Sequence, residues 1–408
     1  MLIIEGIKWL LLAAEIGIAL PVLYLCIISA SAILAARRMK LAAKRADSPA
    51  HVTINSANFA ILIPAHNEQA VLGILLDSLS QLAYSRDHFT VYVVADNCTD
   101  DTAGLARATG WVCVYERFDS EKRGKGFALN WIMQKLGEDQ CSHDAYIILD
   151  ADSIVTPTFL QSMSQALARG ARALQGCNTV LNVTDSPSTV LRWLALTLMN
   201  HVRPLGRNGL GASSNLSGNG MCLSRALLEQ YPWRAFALAE DYQYYLTLIE
   251  HGERVHYVPD ALVRSQMPTT FSQMRTQDIR WESSSGGESK WRVALRLLKA
   301  GLRNRDFARL EAIGEFFTPP LSLLVSSSFL ALVLSLVVWS LPEVTISLLL
   351  VGGLIGYVAT ALYLMRPPSE IYKALLHAPG FMIWKLWVIF VLRKSRKHVG
   401  EWVRTSRT

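Results

Sequence analysis

The chain is 408 residues long, 51% hydrophobic and 18% charged, with a net charge of +7. Its basic residues gather beside long apolar stretches and no nucleic-acid-binding motif is present, so the charge is assigned to anionic lipid headgroups and no nucleic-acid partner is expected. Six cysteines without C-x-x-C spacing read as reduced, structural thiols rather than a disulfide framework.

The first element reads as a membrane helix. Ile16 to Ala36 carries no charged residue, which is enough to cross a hydrocarbon layer of about 30 Å. Arg37, Arg38, Lys40, Lys44 and Arg45 follow it, whereas a secretory signal peptide carries its charges ahead of the apolar run. Basic flanks stay in the cytoplasm, so residues 1–46 are expected to place the N-terminus outside and the next domain inside.

Residues 47–290 read as one α/β domain. Ala60 to Ile63, Thr90 to Ala95, Trp111 to Tyr115 and Ala145 to Leu149 are predicted strands, with Leu72 to Leu82 and Thr102 to Thr109 as crossover helices. Phe127 to Leu136 and Tyr242 to Ile249 are predicted helices, and Pro187 to Leu198 is expected to lie against the membrane interface. Residues 291–317, with Arg292, Arg296, Lys299, Arg303 and Arg305, read as a basic interfacial region. Phe316 to Pro342 and Val344 to Met365 lack charge, so 318–366 is predicted to be a two-helix transmembrane hairpin. In 367–408, Lys385 interrupts the apolar run Ala378 to Leu392. A mid-bilayer lysine costs roughly 2.5 to 3.5 kcal/mol, so this run reads as an interfacial helix ahead of a basic cytoplasmic tail.

Residues able to carry chemistry fall in clusters within the α/β domain. Asp150 and Asp152 end the strand Ala145 to Leu149. Two like charges at about 4 Å repel by ~1 kcal/mol in water and ~4 kcal/mol at a surface-like dielectric, a penalty that a divalent cation holding phosphates removes. A solvated turn capping a helix near Ser153 is the plain alternative. Glu240 and Asp241 open a predicted helix, as a base or simply as first-turn acids favoured by its dipole. Arg123-Gly-Lys125-Gly precedes another helix, as a phosphate contact or an ordinary charged turn. Asn215 to Met221, including Asn219 and Gly220, is a polar glycine-rich loop, either lining an acceptor site or merely turning the chain. Gln277-Asp-Ile-Arg280-Trp281 completes the set, with a core anchor the alternative for Trp281.

In that order and spacing, Phe59 to Trp281 resembles the catalytic domain of family 2 inverting glycosyltransferases, which have the GT-A fold, a Rossmann-like α/β architecture. Ile61-Leu-Ile-Pro64-Ala-His66-Asn-Glu68 is similar to that family's first strand and nucleotide-contacting loop, and Val93-Val-Ala-Asp96 to its second strand and acidic turn. The resemblance implies that Pro64, His66, Glu68, Asp96, Arg123, Lys125, Asp150 and Arg280 bind the donor. It assigns Asp150 and Asp152 to Mg2+ or Mn2+, Asp241 with Glu240 to the general base, and Gln277, Trp281, Asn219 and Gly220 to the acceptor. The Q-x-x-R-W element is similar to that of membrane polysaccharide synthases for cellulose, chitin and hyaluronan.

The reaction implied is transfer of a sugar from a nucleotide sugar, with a UDP-sugar the expected donor, to a hydroxyl of a glycan or lipid-linked acceptor. A carboxylate facing the diphosphate across the anomeric carbon forces in-line displacement, hence inversion and a beta-glycoside. The protein is expected in a bacterial-type inner or plasma membrane with its catalytic domain cytoplasmic, where nucleotide sugars are made. Partners would be the lipid bilayer and, if product is translocated, further protomers or a secretion partner. A polyprenyl-phosphate or glycolipid glycosyltransferase is the alternative enzyme, and a catalytically silent nucleotide- or glycan-binding scaffold the alternative of another class.

Overall fold

The computed structural model describes residues 2–45, 57–267 and 288–395. Helix α1 (Leu2–Arg45) runs beyond the predicted span at both ends, and Glu5–Ala42 is the stretch long and apolar enough to cross a membrane. One face of its later turns packs on protein, with Leu25, Ile28 and Ala32 buried and Ser31 donating to the Gly206 carbonyl at 2.7 Å.

Apolar runs buried on both faces form the centre of the sheet. Strands β1 (Phe59–Ala65), β2 (Phe89–Asp96), β3 (Cys113–Arg117) and β4 (Ala145–Ile148) pair in parallel in the order β3-β2-β1-β4. Helices α2 (Leu72–Ser80), α3 (Thr102–Ala108) and α4 (Lys125–Glu138) connect them. Chain direction across the sheet changes between β1 and β4, and loops at the carboxyl ends of such neighbours diverge to leave a crevice. His66, Asp96 and Asp150 all lie at that edge.

The second half is mixed. Strands β5 (Ser153–Val155), β6 (Ala173–Val180), β7 (Met221–Ser224) and β8 (Val255–Ser265) extend the sheet as β4-β7-β6-β8-β5, with α5 (Phe159–Ala168) between β5 and β6. In a flat sheet β4 and β5 would stand about 19 Å apart, four strand spacings. The short link Leu149–Asp152 reaches only about 17 Å when extended, so the sheet curls. A register shift at Gly176/Cys177 marks an irregularity in the β6–β8 pairing. The antiparallel β4–β7 pair sets Ile148 against Met221, bringing the loop before β7 alongside Asp150.

Helices α6 (Pro187–Thr197) and α7 (Arg203–Gly209) lie between β6 and β7, and α8 (Arg225–Gln230) and α9 (Glu240–His251) between β7 and β8, with a five-residue π-helical stretch, Leu198–Val202, joining α6 to α7. The expectation that 187–198 lies on the interface is corrected. Val190, Trp193 and Leu194 are buried in one core with Val22, Leu25, Leu354 and Tyr357, so its apolar run is matched by membrane helices on one side and the sheet on the other.

Helices α10 (Lys290–Asn304) and α11 (Phe307–Phe317) occupy the predicted basic region. They are docked on the α/β domain: Val293, Leu297, Ala308, Ala312 and Phe316 share a core with Tyr244, Tyr245 and Leu248 of α9. Arg296 is committed to Glu250 at 2.6 Å and also to Glu288. Helices α12 (Leu321–Val338) and α13 (Leu341–Met365) follow, then α14 (Ser369–Ala374) and α15 (Ala378–Ser395). Among the described residues, α1, α12 and α13 are long and apolar enough to span a bilayer.

Candidate active site

Lys125 is the centre of the site. It begins α4 directly after Gly124, whose φ of +114° suits glycine. Its ammonium donates to Asp150 Oδ1 at 2.6 Å and to the Gly218 carbonyl at 2.5 Å, and lies 3.4 Å from Glu240 Oε1. Burial opposes that charge, but Asp150 and Glu240 outweigh it and hold the lysine well above its usual range. Lys125, the expected phosphate clamp, thus ties together the carboxylate loop, the helix carrying Asp241 and the loop before β7.

Close packing brings these elements together. A Cβ on Gly126 would fall 2.1 Å from the Ala235 carbonyl oxygen and 3.3 Å from Glu240 Cβ, so only glycine lets α4 approach the start of α9. Gly218 has φ +74°, and a Cβ there would meet Asp241 Oδ2 at 3.0 Å. Asp241 itself sits in the first turn of α9, accepting the Tyr242 amide at 2.7 Å. Burial, then the neighbouring Glu240 charge, push its carboxyl up to about 7, with Lys125 pulling the other way.

Two residues expected at the acceptor, Asn219 and Gly220, are held in local hydrogen bonds. Asn219 is 1% exposed, and its amide donates to Ser153 at 2.7 Å and Ser265 at 3.0 Å while its Oδ1 accepts the Asp150 amide at 3.1 Å. It pins the Asp150–Asp152 loop to the end of β8. Gly220 is likewise taken into the sheet, its amide donating to Ile148 and its carbonyl accepting from Gly176, both at 2.9 Å. Gln277, Arg280 and Trp281 lie outside the described residues.

At the carboxyl end of β2, Asp96 is buried and bound by Arg117 through a 2.5 Å contact to Oδ1, which Asn97 also approaches at 3.0 Å. Arg117 was missed in the sequence, where the end of β3 carries no motif; the parallel register Asp96↔Arg117 is what pairs them. His66 Nδ1 lies 2.7 Å from the Asp96 carbonyl, and the Glu68 amide donates to Thr102 Oγ1 at 2.9 Å. Between them Asn67, at φ +56°, accepts the Thr99 amide at 2.7 Å and so laces the two loops. Pro64 lies within β1 opposite Val94, and Arg123 is exposed in the turn before α4.

Asp150 and Asp152 are both partly exposed, and no cluster of three His, Cys, Asp or Glu suited to a metal occurs among the described residues. Two hard, partly exposed carboxylates fit a divalent cation whose remaining ligands come from phosphate and water.

A parallel half, two carboxylates where it gives way to a mixed half, and an acid-led helix across the crevice fit a glycosyltransferase domain of the GT-A class. The family described as "Glycosyltransferase like family 2" matches residues 57–284, more than half of the chain, and the chain belongs to it. Among curated relatives, the probable glycosyltransferase YdaM of Bacillus subtilis is 24% identical over 243 residues, covering 54% of each chain. The beta-monoglucosyldiacylglycerol synthase of Synechocystis is 25% identical over 245 residues, 59% of this chain and 50% of its own. A probable glucomannan 4-beta-mannosyltransferase of Arabidopsis thaliana is 23% identical over 250 residues, 59% and 46%. The chain thus spans about half the length of the curated relatives it matches. A mannosyltransferase of Pyrobaculum calidifontis, solved with GDP-Man and Mn2+, is 17% identical with a TM-score of 0.48, covering 84% of this chain and 98% of that one.

Proposed function

We propose that this protein is a membrane-bound inverting glycosyltransferase that moves a sugar from a nucleotide sugar to a hydroxyl of a glycan or lipid-linked acceptor, forming a beta-glycosidic bond. The observation that carries the reading is the placement of Asp241 in the first turn of α9, closed on by the Gly218 backbone beside the Lys125–Asp150 pair, where burial raises its carboxyl to about 7. A base whose pKa lies near the working pH combines a sufficient ionised fraction with useful basicity. Asp241 takes the proton of the acceptor hydroxyl. Lys125 orients Asp150 and the Gly218 carbonyl, while Asn219 fixes the backbone of the loop between the two aspartates. His66, Glu68 and Asp96 lie where the nucleoside would rest, and because Arg117 and Asn97 hold Asp96 Oδ1, a base contact falls to Oδ2. Asp150 and Asp152 would hold Mg2+ or Mn2+, which when bound supplies Lewis-acid neutralisation of the leaving diphosphate.

The basic residues after the apolar part of α1 support a cytoplasmic catalytic domain. Relatives named for diacylglycerol-linked glucose and for glucomannan support an acceptor that is a glycolipid or a polysaccharide. The test is nucleotide release by detergent-purified protein from a panel of UDP- and GDP-sugars, with membrane lipid extract as acceptor and with Mg2+, Mn2+ or chelator. Release from one donor, abolished by chelator and by Asp152→Ala, is expected. Release that survives both would sink the metal assignment, and no release from any donor would favour a silent binding protein.

A further inference from the structure

A buried ionic network lies between the candidate site and the membrane helices. Arg207 of α7 is fully buried. Its Nε donates to Glu311 Oε1 at 2.8 Å and its Nη2 to Glu311 Oε2 at 2.9 Å. Nη1 donates to Asn215 Oδ1 at 3.0 Å, and Nη2 also reaches the Tyr245 hydroxyl at 3.1 Å. Alongside, Arg203 donates to Glu315 at 3.0 Å and to the Tyr357 hydroxyl of α13 at 2.9 Å. The Tyr24 hydroxyl of α1 lies 2.6 Å from Glu311 and 3.1 Å from Glu315.

We infer that Arg207 is a positioning residue for the transfer reaction, holding the loop 215–220 and the Asp241 helix in register with each other and with the membrane helices. The inference rests on Asp241 being the base. Tyr245 stands four residues after Asp241, on the same face of α9. Asn215 stands three residues before Gly218, whose carbonyl holds Lys125 and whose backbone closes on Asp241. Arg207 thus grips the two walls between which Asp241 and Lys125 meet. Stability alone does not call for this arrangement, since a buried ion pair replaced by well-packed apolar groups is often no less stable. What a guanidinium adds is direction: a rigid planar fork that fixes several acceptors at once.

The test replaces both charges together, Arg207→Gln with Glu311→Gln, so that no lone ion is left buried. With the donor that the wild type accepts, turnover should fall by about tenfold or more while donor KM rises by less, because small displacements of a reacting group are costly and the contacts expected at His66, Glu68 and Asp96 are untouched. Amide hydrogen exchange should accelerate at 215–220 and 240–246 and stay unchanged in β1, β2 and β4. A folded double variant with wild-type turnover and wild-type exchange overturns the inference, as does faster exchange spread evenly over the domain. Should the double variant not fold, Tyr245→Phe removes one of the bonds and keeps every charge; accelerated exchange at 240–246 supports the inference, and none overturns it. Asp241→Asn measured in parallel separates the two readings: full turnover there sinks the base, whereas exchange reports on Arg207 without reference to activity.

Discussion

Around the candidate site three carboxylates, Asp150, Glu240 and Asp241, share the single ammonium of Lys125, whereas in the frame behind it Arg203 and Arg207 face Glu315 and Glu311 two against two. Burial, with the surplus behind it, leaves Asp241 raised toward neutrality; the balance keeps Glu315 below the usual carboxylate range, because Arg203 and Arg207 outweigh the cost of its burial. An acidic surplus is poised to accept a proton and a cation. A balanced set fixes geometry and is ready for neither.

Upsetting each region should therefore fail differently. Asp241→Asn removes the base but not the donor contacts, so turnover should drop by about 10²- to 10⁴-fold with donor binding nearly intact, as separate kinetic and donor-titration measurements would reveal. Glu311→Ala strands the buried Arg207 charge and should cost about 3–5 kcal/mol of stability, read as a lowered unfolding midpoint in detergent. A midpoint equal to wild type would mean that water reaches Arg207. The mildest change concerns pH. Asp241 must be ionised to act, so kcat/KM should rise with pH through about 7 and then level off. Lys125 favours that ionised form, so Lys125→Met should move the acidic limb of the profile to higher pH. An unmoved limb would show that another group sets it.

The two regions also differed in legibility. Strands β1, β2 and β4 are largely apolar and lead into polar residues within two positions of their ends, so their places and the edge where His66, Asp96 and Asp150 emerge could be read directly. Asn219 was legible as a loop residue but not in its purpose, because the serines it binds, Ser153 and Ser265, come from strands 66 and 46 residues away. The run 187–198 was legible as a helix, yet an apolar stretch has the same pattern whether lipid or protein covers it.

By itself the sequence determined the family, the parallel half of the sheet, the acidic pair at its edge and three apolar helices, since strand period, helix length and motif spacing are local properties of a chain. Tertiary structure decided that Lys125 ties Asp150 to the start of α9, that Arg117 holds Asp96, and that Tyr24 meets Glu311 across 287 residues. Those pairings arise where separate elements pack together, and a buried charge takes its partner from whatever the fold brings within hydrogen-bond reach, which neither residue's neighbours in sequence can specify.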